Sequence, residues 1–134
     1  MTTQPPAADP TLTAAWSGLA IRSAELASTT IRVLVDADDD ARSAELRLEA
    51  AGVHFDATRQ RVDGSVVALL HQLAQERGVL TWRDRMFSGA HINSTEDRAV
   101  LHTALRRARA DKLDVDGVDV VAEVTGVLDR IATF

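Results

Sequence analysis

Met86-Phe87-Ser88-Gly89-Ala90-His91-Ile92-Asn93-Ser94-Thr95-Glu96-Asp97-Arg98-Ala99-Val100-Leu101-His102-Thr103-Ala104-Leu105-Arg106 is the stretch whose reading decides the fold. Asn93 with Glu96, and Ser94 with Asp97, stand at the spacing of a capping box, in which a side-chain oxygen accepts from the first free N–H groups of a helix. Val100, Leu101, Ala104, Leu105 and Ala108 follow as an apolar stripe. The spacing predicts a helix that starts near residue 94, with Glu96 in its cap and Arg106, Arg107 and Arg109 offsetting the dipole at its C-terminal end. Ahead of it, Ser88 and His91 have the residue types of a nucleophile and a base, but the strand–nucleophile–helix elbow is missing. Gly89 before a helix start offers backbone N–H groups to an anion. For a lone glycine, a helix-capping turn is the simpler reading.

Downstream, Leu113 to Val115 reads as a short strand closed by the turn former Asp116-Gly117. A last helix is expected after Asp119, with Val120, Val124, Val127, Leu128 and Ile131 on one face and Glu123 on its surface. The apolar stripe still runs when the chain stops at Phe134, with no Gly or Pro to close it, which reads as a cut inside a longer protein.

Upstream, Val66, Leu69, Leu70 and Leu73 recur at helical spacing behind the capping candidates Asp63 and Ser65, and Gly78 is placed to end that helix in the left-handed conformation. A short helix around residues 80–87 follows, anchored by Trp82 and Phe87. Leu46, Leu48 and Ala50 alternate with charged residues, as do Val53, Phe55 and Ala57, and period two is the strand signal. With Ala51-Gly52 between them, residues 46–57 are expected to form a hairpin that packs on a helix, since a lone hairpin is marginal in water. Asp56 is a candidate partner for Arg59 or Arg61. A first helix is expected after Thr11 or Thr13, carrying Trp16, Leu19, Ala20 and Ser23, and a short second one over residues 30–35. Asp38, Asp39 and Asp40 read as a loop or the start of a third helix; no further ligand spacing supports a metal there. Residues 1–10, with Pro5, Pro6 and Pro10, read as a disordered leader.

The 134 residues suffice for one domain with a core of its own. Net charge of -5 argues against general nucleic-acid binding, which needs Lys and Arg on phosphates. Apolar runs are too short for a membrane helix, and the polar start lacks the pattern of a secretory signal. With no cysteine, thiolate chemistry, disulfides and Cys-based metal sites are excluded. A cytoplasmic location is the simplest expectation. His54, His71, His91 and His102 never pair at i+3 or i+4, so no helical His-His metal face exists. His71 and His102 read as packing or surface residues, and His54 as exposed.

The opening stretch resembles a signature of the glucose-6-phosphate isomerase family, M-F-x-G-E-K-I-N-x-T-E-x-R-A-V-L-H-x-A-L-R, and departs from it only where Ala90-His91 replace Glu-Lys. Residues 115–124 are similar to the family's V-D-G-K-D-V-x-P-E-V, with Val118 for Lys and Ala122 for Pro. Residues 56–61 are similar to D-Y-S-K-N-R but differ at four positions. The resemblance covers most of the chain after the leader. It implies an α/β enzyme of the sugar-isomerase type, of which residues 11–134 form the N-terminal segment, mainly α-helical with a small β-hairpin. It further implies interconversion of glucose 6-phosphate and fructose 6-phosphate in glycolysis and gluconeogenesis, without a cofactor, by a homodimer that binds a sugar phosphate, not nucleic acid or a membrane. The family's glutamate base, ring-opening groups and phosphate loops lie beyond the segment matched. No catalytic, cofactor-binding or metal residue is therefore expected here, and the 134-residue chain is expected to be inactive alone. The alternatives are a non-enzymatic helical module or degenerate paralogue acting through association, and a small sugar-phosphate-binding protein. The last lacks a Gly-rich or Ser/Thr-rich phosphate loop.

Overall fold

The computed structural model describes residues 9–37 and 39–134. The chain divides into two compact units, Met1–Arg77 and Gly78–Phe134. As the sequence implies, it is mainly α-helical with small antiparallel strand pairs.

In the first unit a 3₁₀ turn, Pro10–Leu12, leads into α1, Ala14–Leu26. Asp9 caps the turn by accepting from the Thr11 amide, and Thr13 caps α1 by accepting from the Trp16 amide. The expected leader otherwise lies outside the described residues. Helices α2, Ile31–Ala37, and α3, Asp39–Leu46, follow as expected, with Asp38 outside the described residues. The hairpin is β1, Arg47–Ala50, paired with β2, Val53–Asp56, Leu48 facing Phe55 and Ala50 facing Val53. Its turn puts both Ala51 and Gly52 at positive φ, 51° and 76°, the geometry that matches the twist of the strands. Helix α4, Gly64–Glu76, is capped by Asp63, which accepts from the Val66 amide at 3.1 Å. Gly78, at φ 62°, ends it.

Helices α1 and α4 run antiparallel. Near one end the Ala15 amide donates to Glu76 Oε2, and near the other Arg22 pairs with Asp63. Between them Gly18 lets Leu69 approach: a Cβ there would lie 2.7 Å from Leu69 Cδ2. Arg42 of α3 holds the connection to α4 by donating to the carbonyls of Thr58, Gln60 and Val62.

The second unit opens with α5, Val79–Phe87. It ends in a Schellman motif, Ala90 N–H donating to Arg85 O and Gly89 N–H to Met86 O. Strands β3, His91–Asn93, and β4, Arg98–Ala99, form one hairpin; β5, Asp114–Val115, and β6, Val118–Asp119, form another. Helix α6, Val120–Thr133, is capped by Asp119, as expected. The core joins Ala104, Leu113, Val115, Val120 and Val121, with Ala99, Leu101 and Val124 packed against it.

Four expectations need correction. The helix expected from residue 94 does not form. Asn93 and Glu96 do bond, Nδ2 donating to Oε2 at 3.1 Å, but they close a hairpin turn, with Thr95 donating to Asn93 and Asp97 at φ 48° reversing the chain. The apolar residues beyond it are consumed by turns and a 3₁₀ helix, Ala104–Arg106, because only Ala104 is buried in the core. Second, the hairpin β1–β2 packs neither face on a helix: every residue of both strands is exposed. Third, Leu69, Leu70, Leu73, Val100, Leu101, Leu105, Val124 and Leu128, expected to be buried from their spacing on helical stripes, are not: Leu70, Leu105 and Leu128 are exposed and the others are half-buried. Fourth, Trp82 is half-buried but Phe87 is exposed, so it is no anchor.

Candidate functional site

His91 of the signature stretch joins a polar cluster in the second unit. Asp97 at the β3–β4 turn and Asp116 at the β5–β6 turn both take the left-handed conformation, at φ 48° and 55°. His91 lies between them. Its Nδ1 is 3.2 Å from Asp97 Oδ1 and its Nε2 is 2.9 Å from Asp116 Oδ2. Asp116 and then Asp97 raise the imidazole pKa above its ordinary value, because each carboxylate favours the charged ring.

The same geometry decides the nucleophile reading. Ser88 Oγ donates to Arg85 O, and His91 is held by carboxylates, so no serine–histidine pair is formed. The anion-pocket reading of Gly89 also fails. The amides of Gly89 and Ala90 already donate to helix carbonyls, and Gly89 is buried against Val115. The arginines expected at one helix end act separately. Arg107 donates to Phe87 O at the end of α5, and Arg109 makes a bidentate pair with Asp129. Leu105, His102 and Phe87 instead line an open cleft of about 660 Å³.

In the first unit a cleft of about 700 Å³ is lined by Arg32, Arg42, Arg47 and Arg59 together with Asp36 and Asp56. Two of its four arginines are engaged. Arg42 is held by three carbonyls, and Arg47 Nε lies 3.1 Å from Asp56 Oδ2. Asp56 thus pairs across the hairpin with Arg47, not with Arg59 or Arg61. Bonds from the Thr58 hydroxyl and amide, and then from Arg47, hold its carboxyl at about 2. Arg61 donates to Ala27 O. Asp63 is held well below the usual carboxylate range, first by Arg22 and then by its bonds from Ser65 and Val66, against the effect of burial.

His54, His71 and His102 are exposed, as expected for surface residues; His54 Nδ1 lies 3.4 Å from Glu49. Among the described residues no group of three or more His, Asp or Glu side chains is placed to hold a metal ion, and no helix is long and apolar enough to cross a membrane. Sequence reading missed the roles of Arg22 and Arg42. Arg22 also meets Glu25 at i+3, but its partner Asp63 lies 41 residues away and the carbonyls held by Arg42 lie 16 to 20 away, and no local spacing announces those.

The profile of the family described as phosphoglucose isomerase matches residues 56–134. The chain is 47% identical over 126 residues to the glucose-6-phosphate isomerase of Mycolicibacterium gilvum, covering 94% of this chain and 23% of that relative. It is 48% identical over 127 residues to that of Mycolicibacterium smegmatis, covering 95% and 23%, and 48% identical over 120 residues to that of Deinococcus radiodurans, covering 90% and 22%. The chain thus spans about a quarter of the length of these curated relatives. With the profile covering the larger part of the chain, signature stretch included, this chain belongs to the phosphoglucose isomerase family.

Proposed function

We propose that this chain supplies the N-terminal segment of a glucose-6-phosphate isomerase, and that the groups performing the isomerisation lie outside its 134 residues. The carrying observation is identity of 47–48% across nearly the whole chain to proteins of that name. The arrangement of side chains supports the second half of the reading. Moving a proton between C1 and C2 needs a base within about 2.6–3.2 Å of that proton and donors for the developing enediolate charge. Several of the carboxylates here are engaged in structural pairs: Glu96 with Asn93 and Arg98, Asp63 with Arg22, Asp129 with Arg109. Glu123 is an exposed residue in the first turn of α6. The role left to this segment is to form part of the shell of a larger cytoplasmic, cofactor-free, homodimeric enzyme acting on a sugar phosphate. The exposed Leu48, Val53 and Phe55 of the first hairpin support this reading, since so contiguous an apolar face is suited to being covered by further polypeptide.

A coupled assay on the purified 134-residue chain, free of host isomerase, tests the proposal. The expected result is no conversion of fructose 6-phosphate above the buffer rate. Conversion that disappears when a residue of this chain is mutated overturns it.

A further inference from the structure

We propose that His91 is a protonation-dependent latch that ties the β3–β4 turn to the β5–β6 turn within the second unit. The reason lies in the donor count of the ring. A neutral imidazole carries one N–H and one lone pair; only the imidazolium donates from both nitrogens. Here both nitrogens face carboxylate oxygens, Nδ1 at 3.2 Å from Asp97 and Nε2 at 2.9 Å from Asp116. Ionised carboxylates only accept. With a neutral ring one of the two contacts must become lone pair against lone pair, so the arrangement as a whole belongs to the charged ring.

The two arms come from separate hairpins, and they differ. Asp116 is the closer acceptor and sits in a tight turn with Gly117, whose amide is held by Asp114. Asp97 is almost fully exposed and more distant. When the ring loses its proton, the remaining N–H stays with Asp116, and the Asp97 arm is the one released. Several charged groups on neighbouring elements are turned to partners of their own: Asp114 of β5 accepts from the Gly117 amide and Asp119 of β6 caps α6. Arg98 of β4 pairs with Glu96, and Arg85 of α5, the helix packed on β3, lies over the Trp82 ring at 4.9 Å from its centroid. The ring's charge is therefore set by the two aspartates.

The sign follows from linkage. A folded-state pKa raised above the unfolded value means that the latch contributes fully below about pH 6.5 and is lost as pH rises through the folded value. His91 itself is about two-thirds covered, but both carboxylates are exposed, so the effect is also weakened by salt.

Proton NMR titration of His91 in the 134-residue chain tests this, with heteronuclear relaxation of the residue 94–97 turn recorded alongside. The expected result is a His91 pKa above the peptide value, lowered by Asp116→Asn and less strongly by Asp97→Asn, and lowered in the wild type by added salt. The 94–97 turn should gain fast motion as pH passes that pKa, and it should lose this pH dependence in His91→Gln. Should His91→Gln fail to fold, Asp97→Ala keeps the ring and the Asp116 arm, removes the Asp97 acceptor, and should likewise abolish the pH dependence of the turn. A His91 pKa at or below the peptide value, or one unmoved by both aspartate replacements, overturns the latch. So does a turn whose motion ignores the titration.

Discussion

Gly89 and Val115 meet so closely that a Cβ on Gly89 would overlap Val115 Cγ2. Gly89 is also at φ 77°, where it closes the Schellman end of α5, and Val115 belongs to the core of the second unit. One glycine thus joins a helix end to a strand. Gly89→Ala meets two penalties: the left-handed backbone costs about 1 kcal/mol for a residue with a Cβ, and overpacking against the core costs about 1–3 kcal/mol. We expect a loss of roughly 2–4 kcal/mol in urea unfolding. By contrast Gly117→Ala, with nothing near its Cβ position, should show only the backbone part. Equal losses at the two sites would mean that the Val115 contact is absent in solution.

Asp63 carries the cap of α4 and the Arg22 pair together, so it is one carboxylate through which acid should act on the first unit. Its pKa is lowered, so its contribution is fully present above the unfolded value near 3.9 and is lost as pH falls towards the folded one. Asp63→Asn keeps a side-chain oxygen for the Val66 amide and removes the charge. The gap in stability between wild type and Asp63→Asn should be widest near neutral pH and close below about pH 4. Asp63→Ala, which also removes the cap, should cost about 1 kcal/mol more at neutral pH. Urea midpoints measured from neutral to strongly acid pH check this, and a gap that stays constant with pH would count against the Arg22 pair.

Ala51 occupies a left-handed position that alanine adopts poorly, beside Gly52, which adopts it freely. Asn-Gly is the favoured pair for such a two-residue turn. Ala51→Asn should therefore stabilise the hairpin by about 0.5–1 kcal/mol. Hydrogen exchange reads this most directly: protection of the ladder amides between β1 and β2 should rise several-fold, with little change in the second unit. Unchanged protection would show that the turn geometry is wrong.

Much of this architecture was legible because it is local. Thr13, Asp63 and Asp119 cap helices at the positions their spacing announces, since an N-cap oxygen reaches only the N–H groups two or three residues ahead. Ala51-Gly52 and Asp116-Gly117 make the turns expected of them because few residue pairs tolerate two successive positive φ angles. The helix expected after residue 94 failed for the converse reason. Its capping-box residues bond in a hairpin turn as readily as at a helix start, and the spacing of Val100, Leu101, Ala104 and Leu105 does not say which of them a core will claim.

The sequence alone settled family membership, through the match over residues 86–106, together with the capped helices and the tight turns, all of which depend on residues near one another in the chain. Tertiary structure alone decided that Ala104 is buried and Leu105 exposed, and that Arg42 holds three distant carbonyls. It alone placed His91 between carboxylates six and twenty-five residues away. Contacts at such separations depend on how elements pack against one another, and the periodicity within any one element carries no record of its neighbours.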